Sequence, residues 1–116
     1  MIEIIVKEFL ESKLSVPVLT EIPKKLDASR YVVIEKTGGT QTDYIKQATM
    51  TVQSYGPSMQ LAAELNETVK DWMLDGVNGL ITEKDVSNVD LNSDYNYTDT
   101  TTKTYRYQAV FSITHY

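Results

Sequence analysis

Residues 55–76 carry the strongest helical pattern in the chain and constrain how the rest can fold. Pro57 suits a first helical position, because its ring fixes a helical φ and an N–H there would have no intrahelical partner. Gly76 suits the helix end, where a left-handed conformation is common. An apolar stripe recurs at three- and four-residue steps, through Leu61, Ala62, Leu65, Val69, Trp72 and Met73. The polar residues, Asn66 among them, fall on the remaining surface. A helix with one apolar face must cover another element, and its flanks resemble strands, so we expect it to lie on a sheet.

The segments on both sides of this helix alternate between apolar and polar residues, as strands with one buried and one solvated face do. Residues 44–55 and 105–114 are the regular examples, and a solvated face favours antiparallel pairing. Further predicted elements are a helix at 2–14, a short extended segment at 16–20, a strand at 31–37 that Gly38 and Gly39 end, and a strand at 86–97.

This order predicts one α+β domain over residues 1–116, with the elements α-β-β-β-α-β-β. We expect a mostly antiparallel sheet of about four to five strands, with two helices packed on one face. Leu65, Val69 and Trp72 are expected to pack on Met50, Val52 and Phe111.

Tyrosines flank a predicted tip at residues 99–103 on both sides. Val89, Leu91, Tyr95 and Tyr97 share one phase of the alternation, so Tyr95 and Tyr97 are expected to face Tyr105 and Tyr107 across a hairpin. Packing between the strands is the simpler interpretation. A subunit interface is the second, because tyrosine combines a large apolar area with a polar tip.

Arg106 has the opposite phase from Tyr105 and Tyr107, so it is expected to point away from the packed face. A guanidinium there can hold a carboxylate through two hydrogen bonds, either Asp99 in the same hairpin or an acid of a neighbouring subunit. A solvated arginine that contributes little is the alternative. We expect Tyr95, Tyr97, Asp99 and Arg106 to matter more for assembly than for folding.

The residue types needed for several classes of function are missing. The chain has one histidine, His115, and no cysteine, which excludes a histidine-based metal site and a Cys–His pair, so we expect no catalytic residues, no cofactor and no metal site. A calcium or magnesium site on scattered carboxylates, such as Asp94 and Asp99, is the weaker alternative. Gly38, Gly39 and Thr40 lack the spacing and the lysine of a phosphate-binding loop. A net charge of −5 disfavours contact with nucleic acid. No segment approaches the ~20 apolar residues that span a bilayer. The acidic residues within 1–13 are unlike a signal peptide, so we expect a soluble protein made in a cytoplasm.

Three pieces of the chain follow one another in a distinctive order: EIPKK followed by YVVIEKTGG, then TVQSYGPSMQLAAELNETV, then SDYNYTDTTTKTYRYQAVFSI. From Ile22 to the C-terminus the chain resembles the tail-terminator (tail completion) proteins of long-tailed bacteriophages and prophages in these pieces. They correspond in order and spacing to an early "IP…YV…E-x-x-GG", an "SxGxS…A…L" passage into a helix, and a closing "Y…D…RY" pair of strands. Thr98 stands before Asp99 where many members of that family have proline.

The resemblance implies a structural protein of the virion and not an enzyme. Such proteins form a ring, often a hexamer, on the head-proximal end of the tail tube, where the ring stops tube polymerisation and presents a surface for joining the head. The implied partners are other copies of the chain, the tail tube protein and the connector proteins of the neck, and the implied location is the neck end of the tail after assembly in the host cytoplasm. Another head–tail connector or minor capsid protein is the alternative function, and an unrelated binding module or enzyme is a third. The residues expected at the interface are Gly38, Gly39, Thr40, Tyr95, Tyr97, Asp99 and Arg106.

Overall fold

A computed structural model describes residues 2–21, 30–42, 45–76, 86–98 and 105–115. Its elements are α1 (Ile2–Lys13), β1 (Val18–Leu19), β2 (Tyr31–Thr42), β3 (Ile45–Gly56), α2 (Met59–Gly76), β4 (Val86–Asn96) and β5 (Tyr105–His115). They form one five-stranded sheet in the order β1-β2-β3-β5-β4. The short strand β1 runs parallel to β2, and the other neighbouring strands are antiparallel. The predicted α+β class and element order are confirmed.

Both helices pack on the same face of the sheet, as predicted. One continuous core joins their apolar stripes to alternate residues of the strands: Ile2, Val6, Phe9 and Leu10 of α1, Leu65, Val69 and Met73 of α2, and Val32, Ile34, Ala48, Met50, Val52, Val89, Ala109, Phe111 and Ile113 of the sheet. The predicted contact of Leu65 and Val69 with this part of the sheet is thereby confirmed. Within the described residues, no helix is both long enough and apolar enough to cross a membrane.

The prediction that Gly38 and Gly39 end the second strand is wrong. Strand β2 continues to Thr42, with Gly38 opposite Thr49 and Gly39 opposite Ala48 on β3. The register shifts between Lys36 and Gly38, so the extra residue, Thr37, forms a β-bulge. Backbone pairing with β3 holds the strand together here, although glycine alone favours strands poorly.

The central helix starts two residues later than predicted. Ser58 caps it, because its hydroxyl accepts a hydrogen bond from the N–H of Leu61 at 3.2 Å and its carbonyl accepts one from the N–H of Ala62 at 3.0 Å. Pro57 therefore precedes the cap and does not occupy the first helical position, and β3 extends through Gly56.

Two side chains of α2 lie elsewhere than predicted. Trp72 is only partly buried and packs at the margin of the core, where the Lys13 ammonium lies 5.2 Å from its ring centre. Asn66, expected on the polar surface, is 1% exposed. Its side-chain nitrogen donates a hydrogen bond of 2.7 Å to Oδ1 of Asp94 on β4, which gives the buried donor group a partner between helix and sheet.

Candidate interaction surface on the uncovered sheet face

Among the described residues no helix covers the sheet face opposite α1 and α2, and we call it the uncovered face. It carries a row of large side chains across the described strands. Tyr31 of β2 lies opposite Tyr55 of β3, and Tyr55 lies opposite Arg106 of β5. The backbone N–H of Tyr97, just after β4, donates to the carbonyl of Arg106 at 3.0 Å. The row therefore crosses four neighbouring chain segments at one end of the sheet.

These side chains contact one another directly. The rings of Tyr31 and Tyr55 stack with centroids 4.5 Å apart and planes 9° from parallel. Arg106 donates from Nη1 to the Tyr55 hydroxyl at 2.9 Å and from Nε to the Tyr97 carbonyl at 3.2 Å. Its guanidinium also lies 4.5 Å from the Tyr97 ring centre and 5.8 Å from that of Tyr55. These distances suit cation–π attraction, so the arginine is fixed between two aromatic side chains.

A second row, one alternation step along the strands, completes a circuit. The Tyr55 hydroxyl donates to Oε1 of Gln53 at 2.8 Å, Nε2 of Gln53 donates to Oε1 of Gln108 at 3.3 Å, and Nε2 of Gln108 donates to the Tyr95 hydroxyl at 2.5 Å. Tyr95 meets Tyr97 edge to face at 5.6 Å, and Tyr97 leads back to Arg106. We call this set the Tyr–Arg cluster: Tyr31, Gln53, Tyr55, Tyr95, Tyr97, Arg106 and Gln108.

Burial within the cluster is graded. Tyr55 is 4% exposed at the centre, whereas Tyr95 on the outer strand β4 and Tyr97 just after it are 38% and 49% exposed. Burial, and then the neighbouring phenol of Tyr55, raises the pKa of Tyr31 above that of an ordinary tyrosine, although Arg106 acts in the opposite direction. Tyr31 is therefore neutral at pH 7, and the guanidinium of Arg106 supplies the positive charge of the cluster.

A β-bulge places Tyr95 and Tyr97 on this face, and the prediction that they share a face with Val89 is wrong. Val89 lies opposite Ile113, on the helix side, but the register shifts between Leu91 and Ser93, so that Asn92 is the extra residue. One added residue reverses the alternation. Tyr95 therefore lies opposite Gln108 and not opposite a core residue.

The same bulge separates the four tyrosines that were expected to face one another. Tyr105 and Tyr107 alternate in phase with Ala109 and Phe111 on the helix side. Tyr95 and Tyr97 lie on the uncovered side. The expectation that Arg106 points away from the packed face is confirmed, because it pairs with Tyr55 there.

The structure does not bring all the predicted interface residues together. Gly39 pairs with Ala48 and Arg106 with Tyr55, seven residues apart on β3, which corresponds to ~23 Å along a strand. Gly38, Gly39 and Thr40 therefore lie towards the opposite end of the sheet. Asp99 lies outside the described residues, so its predicted pairing with Arg106 stays a prediction.

Sequence reasoning missed Tyr31, Gln53, Tyr55 and Gln108 as members of the cluster. Tyr55 stood at the junction of a predicted strand and helix, and Tyr31 at the start of a strand. The alternation of residues 51–55 does place Gln53 and Tyr55 on one face. The pairing of Tyr31 with Tyr55, however, depends on the hairpin register, which the Thr37 bulge sets.

Across the described part of the chain, no group of three or more histidine, cysteine, aspartate or glutamate side chains is arranged to hold a metal ion. The Tyr–Arg cluster offers aromatic surfaces for stacking and polar groups for hydrogen bonds, and both can contact a binding partner. Comparison with models of known protein families gives no match, and comparison with curated proteins gives none either.

Proposed function

We propose that this chain is a structural protein of phage assembly, which caps the head-proximal end of the tail tube as a ring, ends tube polymerisation and presents the surface that joins the head. The proposal starts from the resemblance of residues 22–116 to tail terminators. The α+β fold agrees with what that resemblance implies. In this role the chain acts by binding other proteins, and its surfaces are the functional parts.

The observation that carries the proposal is the Tyr–Arg cluster. Tyrosine and arginine are enriched among the residues that dominate binding energy at protein interfaces. Tyr95 and Tyr97 expose 38% and 49% of their surface, while Arg106 is already held by Tyr55 and Tyr97. Side chains that are fixed before binding lose less conformational entropy when a partner covers them. These properties suit the Tyr–Arg cluster to contact with a protein surface.

The strand order also suits contact between copies. In the described sheet β4 is a terminal strand, and β1 pairs with β2 only at Val32 and Val33. The two sides of the sheet therefore present different edges. Unpaired strand edges invite pairing with a neighbour, and contacts between two different surfaces of identical subunits close into rings when the rotation allows it.

The matched pair Tyr95→Ala and Leu91→Ala tests the proposal. Both residues lie on β4 and both are 38% exposed, but the Asn92 bulge puts them on opposite faces. Each variant is mixed with cognate tail tubes that were assembled without their terminator, and tube ends are counted by negative-stain microscopy. We expect wild type and Leu91→Ala to cap the ends as rings and Tyr95→Ala to lose capping, with both variants folded by thermal melting.

Two results would contradict the proposal, and a third would favour the alternative function. If wild-type protein leaves cognate tube ends bare, the terminator function is wrong. Binding to tail-less heads in place of tubes would favour the alternative, a connector on the head side. If Tyr95→Ala caps tubes as well as Leu91→Ala does, the Tyr–Arg cluster is not the contact surface.

A further inference from the structure

A shallow groove lies at the end of the sheet remote from the Tyr–Arg cluster. Its volume is about 300 Å³, and its walls are Lys36, Gly39, Thr40, Gln41, Lys46, Gln47 and His115. We call it the basic groove. Two lysines and a histidine contribute to it, and none of its described lining residues is acidic. This is unexpected in a chain with 16 acidic and 11 basic residues.

Strand pairing assembles the basic groove from three strands. Lys46 of β3 lies opposite Gln41 of β2 on one side and opposite His115 of β5 on the other. Both lysines are exposed to solvent, whereas His115 is 8% exposed. The Thr37 bulge reverses the alternation of β2 after Lys36, so Gly39 follows on the same face as Lys36.

The absence of a side chain at Gly39 shapes the groove. A Cβ atom at this position would lie 3.1 Å from Cε of Lys36, 3.6 Å from its Nζ and 3.1 Å from the carbonyl oxygen of Gln47. The lysine side chain therefore lies over the glycine. Ammonium, amide and hydroxyl groups all line this space, and each can donate to an oxyanion.

The opposite charge lies on the outer side of α2. Glu64, Glu67 and Asp71 are exposed and follow at three- and four-residue steps, so they form one stripe along the helix. Residues 59–76 contain four acidic residues and one lysine, Lys70, which lies 2.5 Å from Asp94 and 2.7 Å from Glu67, so Glu64 and Asp71 keep most of the negative charge of this surface. We call Glu64, Glu67 and Asp71 the acidic stripe.

We infer that the basic groove binds the carboxylates of the acidic stripe of a second copy of this chain. The inference rests on the proposed function, because it assigns the contact between subunits of the ring. The basic groove and the acidic stripe are different surfaces of one chain. Each copy can therefore bind the stripe of one neighbour in its groove and place its own stripe in the groove of the next, as a ring of identical subunits requires. A phosphate is the other oxyanion that the donors of the groove can hold, so the test below includes it.

Charge exchange tests this contact. The groove variant is Lys36→Glu/Lys46→Glu, and the stripe variant is Glu64→Lys/Glu67→Lys/Asp71→Lys. Lys7→Glu/Lys13→Glu on α1 is the control, because it changes the net charge as much as the groove variant does. Self-association is measured by sedimentation velocity on concentrated protein and by ring formation on cognate tube ends, and thermal melting checks that each variant is folded.

We expect each of the two test variants alone to associate at least ~10-fold more weakly than wild type, and the control to associate normally. An equimolar mixture of groove and stripe variants restores association, because every contact in an alternating ring then joins opposite charges. Wild-type association weakens at 1 M NaCl, where the screening length falls to ~3 Å.

The inference is overturned if the groove variant associates like wild type, if the mixture fails to restore association, or if wild type does not self-associate in either assay. A competition experiment gives one more contradicting outcome. Inorganic phosphate or a DNA duplex is added, and its binding to the groove is monitored through the amide resonances of Gly39 and Lys46. The inference is overturned if either one saturates the groove without weakening self-association. The two proposals can fail separately. If the groove variant still caps tube ends, only the assignment of the groove as the subunit contact is wrong. If the mixture of variants restores self-association but wild type does not cap tube ends, only the terminator function is wrong.

Discussion

Nδ2 of Asn66 donates a 2.7 Å hydrogen bond to Oδ1 of Asp94, which joins the buried side of α2 to the outer strand β4. Oδ2 of the same carboxylate accepts from Lys70 at 2.5 Å. We predict that Asp94→Ala lowers the free energy of unfolding by ~1–3 kcal/mol, because it leaves the buried amide of Asn66 without its acceptor. Denaturant unfolding measures this. Asp90→Ala is the control, because Asp90 lies on the same strand but accepts its hydrogen bond from the exposed Asn88, and it should change stability by less than ~0.5 kcal/mol. Equal effects at both positions would contradict the role of Asp94.

Lys70 makes the stability of the contact between α2 and β4 depend on pH in the alkaline range. Its hydrogen bond to Asp94, followed by that to Glu67, raises the pKa of the Lys70 ammonium above its ordinary value. A group with a raised folded-state pKa contributes fully below its unfolded pKa, and the contribution is lost as the pH rises through the folded-state pKa. The contribution is therefore complete at neutral pH and declines only above pH ~10.4. Lys70→Met should lose stability at pH 7 and show a shallower decline above pH 10 than wild type. Parallel curves for the two proteins would disprove this assignment.

Arg106 is expected to contribute to stability as well as to binding. Its hydrogen bonds to Tyr55 and Tyr97 lie within one chain, so Arg106→Ala should lower the free energy of unfolding by ~1–2 kcal/mol. Arg106→Lys keeps the charge but not the planar contact with the Tyr97 ring, so it should restore only part of the stability. Urea unfolding of both variants checks the order. A lysine variant as stable as wild type would show that charge alone matters at this position.

Trp72 and Met73 are neighbours on α2 with different burial. Met73 is 0% exposed and belongs to the core, so Met73→Ala should cost ~2–5 kcal/mol. Trp72 is only partly buried, so Trp72→Ala should cost ~1–3 kcal/mol despite the larger side chain. Chemical denaturation of the two variants gives the comparison. If Trp72→Ala is the more damaging, the margin of the core at α1 and α2 is more tightly packed than the structure has it.

Replacement by alanine should have different effects on stability at Gly56 and at Gly38. A Cβ at Gly56 would lie 2.8 Å from the backbone N of Ala62, whereas one at Gly38 would lie 3.7 Å from Oγ1 of Thr49. The first is a clash with the α2 backbone, so Gly56→Ala should destabilise by ~1–3 kcal/mol. The second is an ordinary contact, so Gly38→Ala should be neutral or stabilise by up to ~1 kcal/mol. Melting temperatures of both variants decide this. A tolerated Gly56→Ala would mean that α2 can move away from β3.

The periodicity of the sequence was sufficient to predict the elements, and pairing decided the rest. Strand β5 and helix α2 each show one clear period over more than ten residues, so their type and buried faces follow from the pattern. The pattern of a single segment does not contain the bulges at Thr37 and Asn92, because a bulge is defined by the partner strand. The composition of the Tyr–Arg cluster therefore could not be predicted. Tyr95, Tyr97 and Arg106 belong to it, and their predicted role at an interface stays a prediction. Trp72 was misplaced for a similar reason, since its burial depends on where α1 packs.

The bulge at Asn92 gives β4 one more residue than its pairing with β5 needs. Deleting Asn92 would leave Leu91 opposite Phe111 and Ser93 opposite Val110, so the later side chains of the strand would keep their present faces. A register slip would have the opposite effect. If Asn92 paired with Val110, each later residue would move one step along β5, Tyr95 and Tyr97 would be directed under α2, and Asp94 would leave Asn66 for solvent. The loss of the codon for Asn92 is therefore a tolerated mutation for the face that displays the tyrosines, whereas a mispaired chain of unchanged sequence would hide them.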